Sequence, residues 1–214
     1  MIAVTFALPS ESRDFVQLIG QRGQEVALLH TGVGQKACRA RIAPFLDTQP
    51  FDLLISSGFA GGVDSSLGVG DLLLAENFSD PQPLARARAI LVSRVARLVT
   101  AERVIESATE RARLAREHNA AAVDMETEWI AQACAERKLP MLSLRAISDT
   151  ATAPFPAPPA VLFDLERQKT DPLKLGVHLL KHPSHVVRLI RFAGQIATVR
   201  ANLAAALYEL IAAP

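Results

Sequence analysis

The chain has no stretch of 18 or more residues free of charge, so a helix able to span a bilayer is not expected. Cysteine is scarce: Cys38 and Cys134 alone make neither a disulfide framework nor a thiolate metal site. Both lie in apolar helical patterns and read as buried, reduced thiols of a cytoplasmic protein. Charge of one sign is also missing. Lys plus Arg number 23 against 22 Asp plus Glu, a net charge of +1, which excludes a generally basic nucleic-acid surface and an acidic disordered chain. The five histidines, His30, His118, His178, His182 and His185, lack ligand spacing with a closed set of partners, so no metal and no cofactor is implied. No internal repeat or linker divides the sequence. The opening "MIAVTFALPSE" lacks a basic leader and reads as a first strand rather than a signal peptide.

What is present is an alternation of short apolar runs and helical patterns over 214 residues, enough for one domain with a substantial core. Strand-like runs are Ile2–Leu8, Val26–His30, Leu53–Ser57, Asp71–Ala75, Leu98–Thr100, Ala121–Asp124 and Met141–Ala146. Helical patterns fall near 10–20, 34–47, 105–118, 127–137, 172–181 and 184–212. The order predicts an α/β protein: a single domain over 1–214 with a mixed central sheet flanked by helices and a helical extension over about 172–212. The stretch 150–160 holds four prolines and is expected to be loop.

Ligands of open α/β sheets settle beyond the carboxyl ends of strands, so the polar residues there are the candidates. "HTGVGQKA" (30–37) contains G-x-G-x-x-A between a strand and a helix, but Asp52 begins the next strand instead of ending it. A tight turn accounts for those glycines better than a dinucleotide does. "SSGFAGG" (56–62) reads as a small-residue loop that allows close approach of a ligand or of another backbone. Ser148-Asp149 follows an apolar strand and reads equally as a helix cap. Glu11 in "ALPSESRDF" is equally at home as a first-turn glutamate. In "AVDMET", Asp124 and Glu126 flank Met125 at a strand-to-helix junction.

In order and spacing, "ALPSE … TGVG … SSGFAGG … GVGDLLL … AVDMET … LRAISDTA" resembles the nucleoside phosphorylase/nucleosidase superfamily over about residues 1–155. The match is to the methylthioadenosine/S-adenosylhomocysteine nucleosidase type, and "VDMET" with "RAISD" carries it jointly. The resemblance implies a phosphorylase/hydrolase-like fold and cleavage of a purine, adenine-type, N-glycosidic bond by water. Glu11 matches the glutamate that activates water, and Asp149, preceded by Ser148, matches the acid that protonates the purine N7. Glu126 matches the clamp on the ribose 2′- and 3′-hydroxyls, and Met125 the apolar floor beneath the sugar. Phe59, Ala60 and Gly61, with Val104 and Ile105, match the base pocket. The partner implied is a small-molecule nucleoside, in a homodimer.

The chemistry asks for these groups on its own terms. Breaking a purine–ribose bond makes an oxocarbenium-like sugar and a poor leaving group. One acid must therefore stay protonated near neutrality, through burial or a neighbouring carboxylate. A second carboxylate, Glu11, is expected ionised to direct water, and an ionised Glu126 would accept from both hydroxyls of a diol.

The sequence also departs from the nucleosidases. Val104 stands where they carry a stacking phenylalanine, Phe59 where they carry a small polar residue, and 77–97 is shorter than their equivalent. The second half is similar to the hopanoid-associated phosphorylases, which act on adenosylhopane, so cleavage of a lipid-linked nucleoside is an alternative, and a non-catalytic nucleoside-binding protein another. A phosphorylase needs an arginine at a loop, for which Arg13 is a candidate. Residues 171–214 carry net charge +3, with Lys181, His185, Arg188 and Arg191 beside an apolar helical face. That face suits weak contact with a membrane surface, although a solvated face on a core-packed helix is the more ordinary outcome.

Overall fold

Strand β1 (Ile2–Phe6) is buried at four of its five positions and anchors the centre of one sheet. The computed structural model describes residues 1–164, 166, 168 and 172–213. After β1 come α1 (Pro9–Arg22), β2 (Ala27–His30), α2 (Gln35–Leu46), β3 (Leu53–Gly62) and β4 (Leu72–Ala75). A 3₁₀ turn over Glu76–Phe78 leads to α3 (Pro81–Ile90), β5 (Arg94–Thr100), α4 (Ala108–His118), β6 (Ala120–Asp124), α5 (Thr127–Glu136) and β7 (Met141–Asp149). The chain continues through α6 (Pro159–Leu162), α7 (Pro172–Lys181) and α8 (Ser184–Ala212).

β1 lies between β2 and β3 and is parallel to both. β3 runs parallel to β7, from Leu54 opposite Met141 to Gly61 opposite Asp149. β7 pairs antiparallel with β4, β4 parallel with β5, and β5 parallel with β6. β6 returns antiparallel to Gly61 and Gly62 of β3. Five strands therefore close into a ring, which leaves no open edge there. The expected mixed α/β sheet flanked by helices is what forms.

Alternation along the strands sends neighbours to opposite faces. Val4 and Ile55 pack with Phe6, Phe15 and Leu144 against Leu203 and Leu207 of α8. Ala3 and Leu54 face α2 and α5, meeting Cys38, Ile42, Ile130 and Cys134. Burial pushes both thiols up to about 12, which leaves them protonated and inert. The ring interior is filled by Ala60, Leu73, Leu98, Ala122 and Ile147.

Several expectations are corrected. The glycine-rich stretch 58–62 is not a loop but the second half of β3. Its glycines serve close approach between strands: a Cβ on Gly62 would lie 3.1 Å from Thr150 Cγ2. Ser148 and Asp149 lie within β7, buried like the rest of it, rather than beyond it. Residues 77–97 contain α3 and the start of β5, which begins at Arg94. The prolines Pro81 and Pro83 hid α3, yet a first helical turn has no N–H bond for proline to break. The proline-rich stretch 150–160 is irregular only until Pro159, where α6 starts. His178, His182 and His185 gather where α7 meets α8.

Candidate active site

Glu11 is the third residue of α1, and its side chain turns back instead of outward. Its Oε2 accepts from the backbone N–H of Ala7 (3.1 Å) and of Leu8 (3.3 Å), half of a capping box. That reach holds the carboxylate over the carboxyl end of β1, facing β3. There Gly58 has φ +146°, and a Cβ on it would lie 3.1 Å from Glu11 Oε2. Only a glycine lets the strand pass so close. Thr31, Ser57, Phe59, Glu126 and Arg145 complete this cleft, which encloses about 10 Å³. That is room for roughly one water.

Glu126 enters from the start of α5. Its Oε1 accepts from the Gly34 N–H at 2.7 Å, and Gly34 has φ +83°. The glycines of "TGVG" thus aim an amide at a carboxylate, not at a pyrophosphate. Met125 is buried beside them, its Cε 3.7 Å from where a Cβ on Gly34 would stand.

Asp124 belongs to the frame. It accepts from Thr127 N–H (3.1 Å), Thr100 Oγ1 (2.9 Å) and, through Oδ2, Arg145 Nε and Nη2 (both 3.1 Å). Arg145 also donates to Ser56 O (2.7 Å) and Ser56 Oγ (2.8 Å). A guanidinium buried within a strand needs such partners.

Asp149 ends β7 and lies opposite Gly61, further along β3. Its Oδ2 is ion-paired with Arg111 of α4, both fully buried, and its Oδ1 accepts from Ser148 Oγ at 2.7 Å. Arg111 Nη1 donates to Gly62 O at 3.0 Å. A Cβ on Gly61 would lie 3.1 Å from Arg111 and 3.4 Å from Asp149 Oδ2, so this glycine admits the pair. Gly58, beside Glu11, and Gly61, beside Asp149, are three strand residues apart, or about 10 Å.

The remaining candidates sit around these two ends. Phe59 lines the Glu11 cleft. Ala60 points into the ring, its carbonyl accepting from Ser148 Oγ at 3.3 Å. Ile105 packs with Val63 and Val123, while Val104 is half-buried on the same loop. Arg13 is 69% exposed and turned to Asp14, so it does not face the cleft.

Electrostatics correct the expected ionisation. Desolvation raises Glu11 from 4.5 to about 7, against the pull of the backbone N–H groups of Leu8, Ala7 and Phe59 and of Arg145. Burial, with Asp124 and Glu11 nearby, raises Glu126 to about 8. In the ligand-free cleft neither is the plainly ionised carboxylate expected, because taking a carboxylate out of water outweighs those hydrogen bonds. Asp149 is also raised by burial, opposed by Arg111 and Ser148.

Arg111 and Arg145 are the site residues that sequence reasoning missed. In "TERARLARE" the three arginines look alike as a solvated helix face. Arg145 did carry a signal, a lone charge inside an apolar strand.

A ring-closed α/β sheet, with two carboxylates in one strand-end cleft and a third at the end of β7, has the phosphorylase/hydrolase-like fold. Residues 78–180 match the family model described as "Phosphorylase superfamily". A 5′-methylthioadenosine/S-adenosylhomocysteine nucleosidase of Staphylococcus aureus (strain bovine RF122 / ET3-1) is 26% identical over 161 residues, covering 61% of this chain and 71% of the relative. Among solved structures, the native futalosine hydrolase of Helicobacter pylori strain 26695 superposes with TM-score 0.73 at 15% identity, covering 98% of this chain and 96% of that one. The S. pneumoniae nucleosidase with a transition-state inhibitor, MT-ImmA, superposes with TM-score 0.71 at 19% identity, covering 98% and 97%. These likenesses together support the nucleoside phosphorylase/nucleosidase superfamily, of the methylthioadenosine/S-adenosylhomocysteine nucleosidase type.

Proposed function

We propose that this protein hydrolyses the N-glycosidic bond of a purine nucleoside, with adenine as the base. The observation that carries the reading is the Glu11 cleft: a buried carboxylate beside Glu126, with space for about one water. Water attacks C1′ as the C1′–N9 bond breaks, Glu11 takes the proton of the water, and the base leaves protonated at N7. Asp149 supplies that proton. Its Oδ2 is held by Arg111, so Oδ1, beside Ser148, is the oxygen turned to the purine. Glu126 accepts from the ribose hydroxyls over Met125, and those two donors draw its pKa down once the sugar is bound. Glu11 lies beside Gly58 and Asp149 beside Gly61 of β3, so the two carboxylates flank one stretch of strand, an arrangement that lets them act on opposite faces of one bond. Water is favoured over phosphate because Arg145, the arginine that lines the cleft, is committed to Asp124 and Ser56. The reading extends to one domain over 1–214 acting as a cytoplasmic homodimer.

The test is incubation of purified protein with methylthioadenosine, S-adenosylhomocysteine, adenosine and inosine, with and without phosphate, following free base and reducing sugar. Release of both without phosphate is expected. Release that strictly requires phosphate would overturn hydrolysis. Tight nucleoside binding with no base released from any of the four would make this a binding protein.

A further inference from the structure

Helices α7 and α8 form a hairpin whose outer half is not spent on the core. The buried residues of α8 begin at Val199, although the helix starts at Ser184. The preceding fifteen residues span about 22 Å. On them His185, Leu189, Phe192 and Ile196 recur at helical spacing and are half-buried. This stripe faces inward: Phe192 meets Phe155 edge-on at 5.5 Å, and His185 Nδ1 lies 2.9 Å from His178 Nε2 of α7.

The outward face is apolar as well. Leu180 is 85% exposed, Ile190 67% and Val187 55%, with Val177 and Val186 exposed beside them. Ala193, Gly194 and Ala197 continue the stripe along α8. At about 100° per residue, this stripe covers roughly a third of the helix circumference; Arg191 lies about 40° beyond its Val187 edge and Arg188 about 100° beyond it, on the flank of the helix. Lys181 and His182 are exposed at the hairpin turn. Between 172 and 208 there is no Asp or Glu, and Arg200, nearer the body, is paired with Asp14 at 2.8 Å. The first half of α8 therefore presents apolar and cationic side chains outward together.

An occupant must cover apolar side chains and neutralise cations together. A second copy meeting this face through a two-fold axis would set Arg188 and Arg191 against their own kind with no carboxylate to separate them. An uncharged bilayer would leave the cations without counter-charge. An anionic headgroup layer over acyl chains supplies both requirements. We propose that the α7–α8 hairpin is a docking surface for a negatively charged lipid bilayer. Leu180, Val187 and Ile190 enter the acyl boundary, and Lys181, Arg188 and Arg191 contact lipid phosphates. Among the described residues no helix is long and apolar enough to cross a membrane, so the contact is peripheral. It stands on this surface alone and is independent of the reaction proposed above.

The experiment is co-sedimentation of the full chain with vesicles of phosphatidylcholine alone and of an equimolar mixture with phosphatidylglycerol. Binding to the mixed vesicles, weakened by salt and absent from the neutral ones, is expected. The Arg188→Gln/Arg191→Gln variant should partition on the order of 30-fold less, about fivefold for each cation lost. Leu180→Ser/Ile190→Ser should weaken binding at every salt concentration. No binding of wild type to mixed vesicles, or equal binding to both kinds, overturns the proposal. So does a wild-type dimer that Leu180→Ser/Ile190→Ser splits in sedimentation velocity, which would assign the face to a second copy.

Discussion

Replacing Glu11 by Gln separates the two properties assigned to this side chain, because the amide keeps the shape and one acceptor oxygen but cannot ionise. In the folded protein burial raises the carboxyl from 4.5 to about 7. Between those values the folded state holds a proton that the unfolded chain has released, so stability falls as pH rises through the window. The stability contributed by the neutral acid is complete below pH 4.5 and lost above about 7. A difference of about 2.5 units corresponds to about 3 kcal/mol. Urea unfolding of wild type and Glu11→Gln at pH 5 and at pH 8.5 isolates it. The variant should gain about 3 kcal/mol relative to wild type between the two conditions. Glu126 adds in the same direction, since loss of the Glu11 charge eases its own ionisation. Base release should meanwhile fall by roughly 10²–10⁴-fold. In wild type, kcat/KM should rise with pH up to about 7, as Glu11 becomes able to take a proton. A stability difference that is the same at both pH values would refute the buried carboxyl, and undiminished turnover would refute its catalytic role.

Two further outcomes follow from the buried arginines. Arg111→Met removes the cation that favours ionised Asp149, so the alkaline limb of the kcat/KM profile should move to higher pH. An unmoved limb would mean that Asp149 is not the acid. Arg145→Met leaves Asp124 buried without its cation and should cost about 3–5 kcal/mol in urea unfolding at pH 7. A loss below about 1 kcal/mol would show that the hydroxyls of Thr100 and Thr127 suffice.

Period and order along the chain were enough for the α/β alternation and the strand cores, and they marked Glu11, Glu126 and Asp149 only as polar residues at strand ends; their roles came from the family resemblance. Those features are local: an apolar run of four residues or a carboxylate at a strand end is visible wherever it later packs. The bond of Asp124 to the Thr127 N–H is local in the same way, its partner being three residues away. The glycines at 58–62 were not legible. As letters they signal a loop, yet β7 and β6 on either side of them supply ladder bonds that hold the stretch as strand.

What the sequence by itself determined, then, is the set of elements and the chemical inventory. Only the tertiary structure closed β3, β6, β5, β4 and β7 into a ring, because that closure depends on pairings between residues far apart in the chain. It also decided the charge states. Whether a glutamate is ionised depends on how much water the fold removes from it, and for Glu11 that loss outweighs its backbone hydrogen bonds and Arg145. Among three similar arginines of α4, packing chose Arg111 for Asp149. Along α8, one helical period runs from end to end, and only the presence of β1, β7 and α1 beneath its second half separates core from open surface.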